Sequence, residues 1–313
     1  MPAKCVARSA ASEELAAYIA LQSVAGLGAA SLGRLLARFG SAAAALGASP
    51  QELAAVPRVP HLLLEGIAAA RGDLERHRAT ASGLAREGVA AIGRDSPGYP
   101  ERLSVLASPP PVLYVRGRLP RGNRRTFGIV GTTEPSEHGL EVAFGIARHL
   151  ARRGWIIVSG NAPGIDAAAH RGALRARRPT ILVLPMGILS FRPQAGYPPP
   201  EELWRLAAAV SECHPESPWT TPAALARNRL IAALSDAVLV VETRGPGGAL
   251  STVRHALGLG RRAFSVRFRT PALSAAGNAA AEAAGALPVR SLRELDRALA
   301  LSPSLRGQRP LPW

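Results

Sequence analysis

Lysine is almost missing from this chain: Lys4 is the only one, and every other basic residue is arginine. Cysteine is scarce too. Cys5 and Cys213 lie far apart, which excludes a disulfide framework and a zinc site built from cysteines. Aromatic residues make up only 4%, so the core must be built from alanine, leucine, valine and isoleucine. No run approaches the roughly 18 uninterrupted apolar residues that a membrane helix needs, so no membrane partner is expected. The first residues, MPAKCVARSAASEE, hold no apolar signal core, and a cytoplasmic protein is expected. No GxGxxG follows any strand-like run, and GxxxxGK[ST] is absent. A nicotinamide-dependent or P-loop enzyme is thereby disfavoured, and no cofactor is expected.

What is present starts with length. The 313 residues, 47% of them apolar, suit an α/β domain of about 200 residues with a smaller partner domain. Lys and Arg number 38 against 22 Asp and Glu, a formal net charge of +16. That balance favours a polyanionic partner. Arginine and alanine enrichment also follows from GC-rich codon usage, so charge alone leaves both readings open. Arginine is still the better phosphate reader, through its planar two-pronged donor set.

Five segments are expected. Residues 1–12 form a flexible N-terminus, 13–90 a helical domain, and 91–126 a linker with a first strand near 112–115. Residues 127–292 form an α/β domain and 293–313 a tail. In the helical part Leu32, Leu35, Leu36 and Phe39 form an apolar stripe after the Gly26-Leu27-Gly28 turn. The unit resembles a helix-hairpin-helix, whose glycine turn can offer N–H groups to a DNA phosphate. Plain packed helices joined by glycine turns explain it equally well. A second copy over 53–71 is degraded by Pro57 and Pro60.

From residue 127 the pattern alternates. Apolar strands are expected at 127–130, 155–158, 180–184, 237–242 and 262–266. Helices are expected near 137–153, 165–175, 200–209, 222–234 and 249–259. Continuous apolar strands between amphipathic helices mean a Rossmann-like, doubly wound, mostly parallel sheet covered on both faces. The fold class is α/β, preceded by a small all-α domain of the SAM-like or helix-hairpin-helix kind. In such sheets the ligand lies beyond the carboxyl ends of the strands. Those ends carry Gly131-Thr132-Thr133, Ser159-Gly160 through Gly164, Pro185-Met186-Gly187, and Thr243-Arg244 through Gly248. Each turn bears glycine and opens a helix, so several helix N-termini converge on one rim and favour an anion.

The stretches VGTTEPSEHG, VSGNAPGIDAAAHRGAL, LARNRLIAALSDAVLVVE, GGALSTVRHALGLGRRAFSV and GNAAAEAAGA carry a resemblance. In this order, over about 128–289, they resemble the DNA-processing protein A (DprA, or Smf) family. The helical part is similar to the SAM-like domain that precedes the Rossmann-like domain there. The resemblance implies a non-enzymatic protein that binds single-stranded DNA, protects incoming strands during natural transformation and loads the RecA recombinase. It also implies a homodimer formed through the Rossmann-like domain. After Leu295 only DRALALSPSLRGQRPLPW remains, so the winged-helix domain that many members carry is not expected.

Expected DNA contacts are Gly131, Thr132, Thr133, Ser159, Gly160, Gly164, Arg227, Asn228, Arg229, Gly248, Ser251 and Asn278. No catalytic and no metal-binding residue is assigned. Thr133 and Pro163 stand where the family usually has arginines, His138 where it has tyrosine, and the third loop's Tyr-Pro is Arg192-Pro193 or is shifted to Tyr197-Pro198. Arg227 and Arg229, two apart on a helix, point to different faces. One is expected toward phosphate and one packed, with a purely structural role for both as the rival. Arginine clusters at 121/124/125, 171/175/177/178 and 261/262/267/269 are solvated surface singly, or track a strand as a set. Trp219, Phe191 and Tyr197 are the rim aromatics, Trp219 read chiefly as a packing residue and Trp155 as core. Asp166 and His170 are read as a capping carboxylate and a structural histidine. They are not read as a catalytic or metal pair. The alternative function is a nucleotide-binding protein or nucleoside-monophosphate phosphoribohydrolase of similar fold. The PGGALST stretch is similar to the PGGxGTxxE segment of those enzymes, but the catalytic glutamate's place falls near His255.

Overall fold

A computed structural model describes residues 2–300 other than Asp95, Arg121 and Pro246. Six helices come first: α1 (Pro2–Ser23), α2 (Ala29–Phe39), α3 (Ala42–Gly47), α4 (Pro50–Ala54), α5 (Leu63–Gly72) and α6 (Leu74–Arg86). Residues 2–12 thus belong to α1, where a flexible lead was expected. Local chemistry sets the boundaries. α2 stops at Gly40, whose φ of 80° is left-handed and whose N–H reaches Leu36 O. Ser41 caps α3, and α4 opens with a reciprocal Ser49/Glu52 capping box followed by Pro50. Leu21, Leu32, Leu35, Leu53 and Ile67 form the core these helices share. In the glycine turn, Leu27 and Gly28 donate their N–H groups to Val24 O (3.1 Å) and Gly26 O (2.9 Å). Those two donors are therefore engaged within the turn.

The sheet has nine strands: β1 (Val89–Gly93), β2 (Val112–Gly117), β3 (Thr126–Val130), β4 (Ile156–Ser159), β5 (Thr180–Val183), β6 (Ala207–Ser211), β7 (Ala237–Val240), β8 (Arg262–Val266) and β9 (Leu287–Val289). Their order is β1-β2-β6-β5-β4-β3-β7-β8-β9. β6 to β9 are parallel; β2 runs antiparallel to β6, and β1 to β2. The expected doubly wound architecture is therefore present. Within the stretch 91–126, the strand expected near 112–115 is β2, and the end of β1 lies in the same stretch.

α7 (Glu137–Arg152), α8 (Ile165–Arg175) and α13 (Leu292–Ala300) cover one face, with Phe127, Ile129 and Ile157 beneath them. α10 (Thr221–Leu234), α11 (Gly248–Gly258) and α12 (Asn278–Ala283) flank the other, over Val130, Val158 and Val238. α13 takes up the start of the expected tail; 301–313 lie outside the described residues. α1 and α6 join the main body through a shared core, with Ile19 and Leu84 against Tyr114 and Leu182.

One expected helix is corrected. The run 200–209 divides into α9 (Pro200–Leu206) and β6. Its alanines favour a helix by propensity. Sheet position overrides this: Ala209 pairs with Leu182 on one side and Arg116 on the other. β1 and β9 were not expected either, being short edge strands.

Candidate nucleic-acid interface

β3 and β7 are neighbours whose following helices, α7 and α11, lie on opposite faces of the sheet. This is the topological switch point, where a doubly wound sheet ordinarily takes its ligand. The β3 turn is tied down from below: Thr132 N–H donates to Glu242 O at 2.8 Å, and Glu134 N–H to Thr132 Oγ1 at 3.2 Å. Gly131 and Thr132 are half-buried and Thr133 is exposed.

The β4 turn is built around Gly164, with φ 81° and ψ −125°. A Cβ there would lie 2.6 Å from Thr132 O, so only glycine fits. Asp166, buried at the start of α8, accepts from Gly160 N–H (3.1 Å) and Ala162 N–H (3.4 Å). Burial raises its pKa, with Arg227 opposing. The capping reading of Asp166 is corrected: no side chain caps the start of α8, and the carboxylate instead ties down the turn that precedes the helix. His170 is structural, its Nδ1 2.7 Å from Thr180 Oγ1. Thr180 Oγ1 already donates to Ile157 O at 2.9 Å, so the proton of that contact belongs to Nδ1. Burial and Arg227 lower the His170 pKa to about 3, so it is neutral.

Arg227 is 6% exposed. Its Nη1 donates to Gly160 O and Val183 O, and its Nε to Asn228 Oδ1 at 3.3 Å. It thus clamps the carboxyl ends of β4 and β5. Asn228 Nδ2 donates to Gly248 O at 3.0 Å, fixing the start of α11 against α10. Arg229 pairs with Glu212 and donates to Ser108 O at 3.2 Å. The two arginines do point different ways, but both are engaged inside the protein, as in the rival reading. Ser159 donates to Ile129 O and is fully buried. Asn278 joins the ends of β7 and β8: its Oδ1 accepts Thr243 N–H (2.9 Å), and its Nδ2 donates to Val241 O (2.8 Å) and Val266 O (2.9 Å). Ser159, Gly160, Arg227, Asn228 and Asn278 therefore form the frame beneath the rim, because their polar groups are consumed there.

What remains open is the start of α11. Gly247 and Gly248 are exposed, no side-chain hydrogen bond caps the helix, and its first turn holds no acid. Ser251 is half-buried one turn on. Beside it Arg244 pairs at 2.8 Å with Glu134, both largely exposed. Such a surface pair is worth little and can be exchanged for a phosphate.

A family model for DNA recombination-mediator protein A matches residues 90–299. This chain belongs to the DNA recombination-mediator protein A family. It is 35% identical over 266 residues to Protein Smf of Synechocystis, covering 82% of this chain and 65% of that protein. It is 34% identical over 184 residues to DNA processing protein DprA of Bacillus subtilis, covering 58% of this chain and 61% of the relative. The chain thus spans less than two thirds of the length of these curated relatives. The structure of DprA from Streptococcus pneumoniae superposes with a TM-score of 0.70 at 22% identity, over 90% of this chain and 97% of that one. That of Helicobacter pylori DprA gives 0.58 at 25% identity, over 68% and 95%.

In this family member the arginine clusters do not form one track. Arg124 and Arg125 precede β3, Arg175, Arg177 and Arg178 precede β5, and Arg261 and Arg262 sit at the start of β8, all at the amino ends of strands, opposite the rim. Arg125 lies over the Trp155 ring at 4.7 Å and Arg262 over the Phe264 ring at 5.4 Å. Arg121 lies outside the described residues. Arg267 and Arg269 are on the rim side, Arg267 paired with Glu282. The aromatic expectations divide. Trp155 is core, against Phe127 at 5.8 Å. Phe191 is buried, and Tyr197 donates to Asn161 Oδ1 at 2.7 Å. Trp219 is not packed away: it is 55% exposed, just before α10, on which Leu225 is 45% exposed. Nothing in its local sequence distinguishes the two outcomes. No helix among the described residues is long and apolar enough to cross a membrane.

Proposed function

We propose that this protein binds single-stranded DNA along the carboxyl rim of its sheet, without catalysis. The observation that carries the reading is the open start of α11. Its free N–H groups and helix dipole favour a phosphate, with Thr133, Ser251 and Arg244 beside it. Trp219 supplies an exposed face on which a base can stack. The net charge of +16 points the same way, and the structure of the Helicobacter pylori relative concerns its single-stranded DNA binding mode. Arg227, Asn228 and Asn278 serve by holding the rim in shape.

The family resemblance extends this to a cytoplasmic homodimer that shields incoming strands during natural transformation and hands them to RecA recombinase. The test is a gel shift of a labelled single strand at low and at moderate salt. Salt-sensitive retention supports the reading; no retention at low salt rejects it. Release of free base from a nucleoside monophosphate would instead favour the phosphoribohydrolase alternative. Against that alternative, the place of the glutamate that such enzymes need falls near exposed His255, and no carboxylate follows there.

A further inference from the structure

The crevice between β3 and β7 is already filled by the protein itself. Glu242, two residues past β7, is 1% exposed. Its Oε2 accepts Ser136 N–H at 2.8 Å and its Oε1 accepts the Ser136 hydroxyl at 2.6 Å. Ser136 caps α7, its Oγ accepting Gly139 N–H at 2.9 Å. The carboxylate presses so closely on the first turn of α7 that a Cβ on residue 139 would lie 2.6 Å from Oε2. Among the described residues no arginine, lysine or histidine forms an ion pair with it. A buried negative charge is therefore held by a backbone N–H, a hydroxyl and the positive end of a helix of 16 residues. That donor set is how a helix start holds a phosphate. The main-chain oxygen of the same residue also holds the β3 turn, through Thr132 N–H.

We propose that Glu242 is a resident anion that closes the switch-point crevice to free phosphates and nucleotides. A phosphomonoester entering there would meet a carboxylate with no cation between them. Anion binding is thereby moved to the start of α11, which lacks both a cap and an acid. Glu242 then acts as a specificity residue: it leaves the outer rim open to a polymer while occupying the start of α7, where a monomeric phosphate would otherwise sit. The glycine at 139 follows from the same arrangement, because any side chain would displace the carboxylate.

The test uses the whole chain and inorganic phosphate as probe, with no DNA, so its outcome is independent of the binding reading above. Wild type, Glu242→Ala and Glu242→Gln are melted in phosphate and in chloride at equal ionic strength. Glu242→Ala empties the crevice and is expected to gain a phosphate-specific rise in Tm of about 4 °C over the other two, at phosphate ten times its dissociation constant. Glu242→Gln drops the charge but still fills the crevice, so it should respond as wild type does if occupation by the side chain is what excludes phosphate; a rise equal to that of Glu242→Ala overturns the claim that the filled crevice is closed. If Glu242→Ala is unfolded in chloride, phosphate is expected to restore a cooperative melt. Equal phosphate responses in all three proteins, or an unfolded Glu242→Ala that phosphate does not restore, overturns the proposal.

Discussion

Arg227 and Gly160 fit together only because residue 160 has no side chain: a Cβ there would lie 2.5 Å from the guanidinium carbon. The arginine needs that approach to reach Gly160 O and Val183 O together. Gly160→Ala is expected to destabilise the fold by about 2 kcal/mol or more through overpacking. Much of that cost should vanish in an Arg227→Met background, where the head group is gone. Equilibrium urea unfolding of the two single variants and the double variant measures the coupling.

His170 sets an acid limit. Folding keeps it neutral, with a pKa lowered to about 3, while the unfolded chain takes up a proton near 6.5. Below pH 6.5 the unfolded state therefore binds the extra proton, and stability falls with pH by about 1.4 kcal/mol per unit for this one group. His77 and His214, both lowered chiefly by burial, add to the same trend. His170→Asn keeps a donor for Thr180. It should lessen the slope between pH 6 and 4 in urea titrations; an unchanged slope counts against the assignment.

Much of this was legible in the residues. The apolar runs at β3, β4, β5, β7 and β8 and the glycine turns beyond them read directly as a parallel sheet with an anion-favouring rim. The alanines of β6 did not, because their strand state comes from neighbours on both sides. Nor could spacing show that Arg227 lies beneath Gly160 while Gly248 stays open, since burial of a polar side chain depends on which carbonyls the fold brings within reach. The acid at 242 is visible in the sequence as a strand-end glutamate. Its contact with Ser136 joins segments 106 residues apart, a pairing that only the folded chain brings about.

Trp219 gives an optical test. If a base stacks on it, single-stranded DNA quenches its emission, and Trp219→Ala weakens binding about 5- to 100-fold, matching roughly 1–3 kcal/mol per stacked base. The melting temperature should hardly move, since the ring is 55% exposed. Quenching absent and affinity unchanged would remove Trp219 from the interface.

Arg244 tests the electrostatic part. Its surface pair with Glu134 contributes little to folding. Arg244→Gln should leave stability alone, weaken strand binding, and lower the slope of log affinity against log salt by about 0.7, the share of one phosphate contact on a single strand. Titrations at several salt concentrations give the slope directly.

The most direct measurement places an acid at the bare helix start. Gly247 has φ 169°, an extended backbone that any residue adopts, and open space where a Cβ would go. In Gly247→Asp the carboxylate caps α11, so the protein should melt at the same temperature or higher. Fluorescence anisotropy with a labelled single strand should show affinity at least about 10-fold weaker than wild type, since the aspartate takes the donors and repels the phosphate. Undiminished affinity in that well-folded variant would contradict the claim that the start of α11 holds the strand.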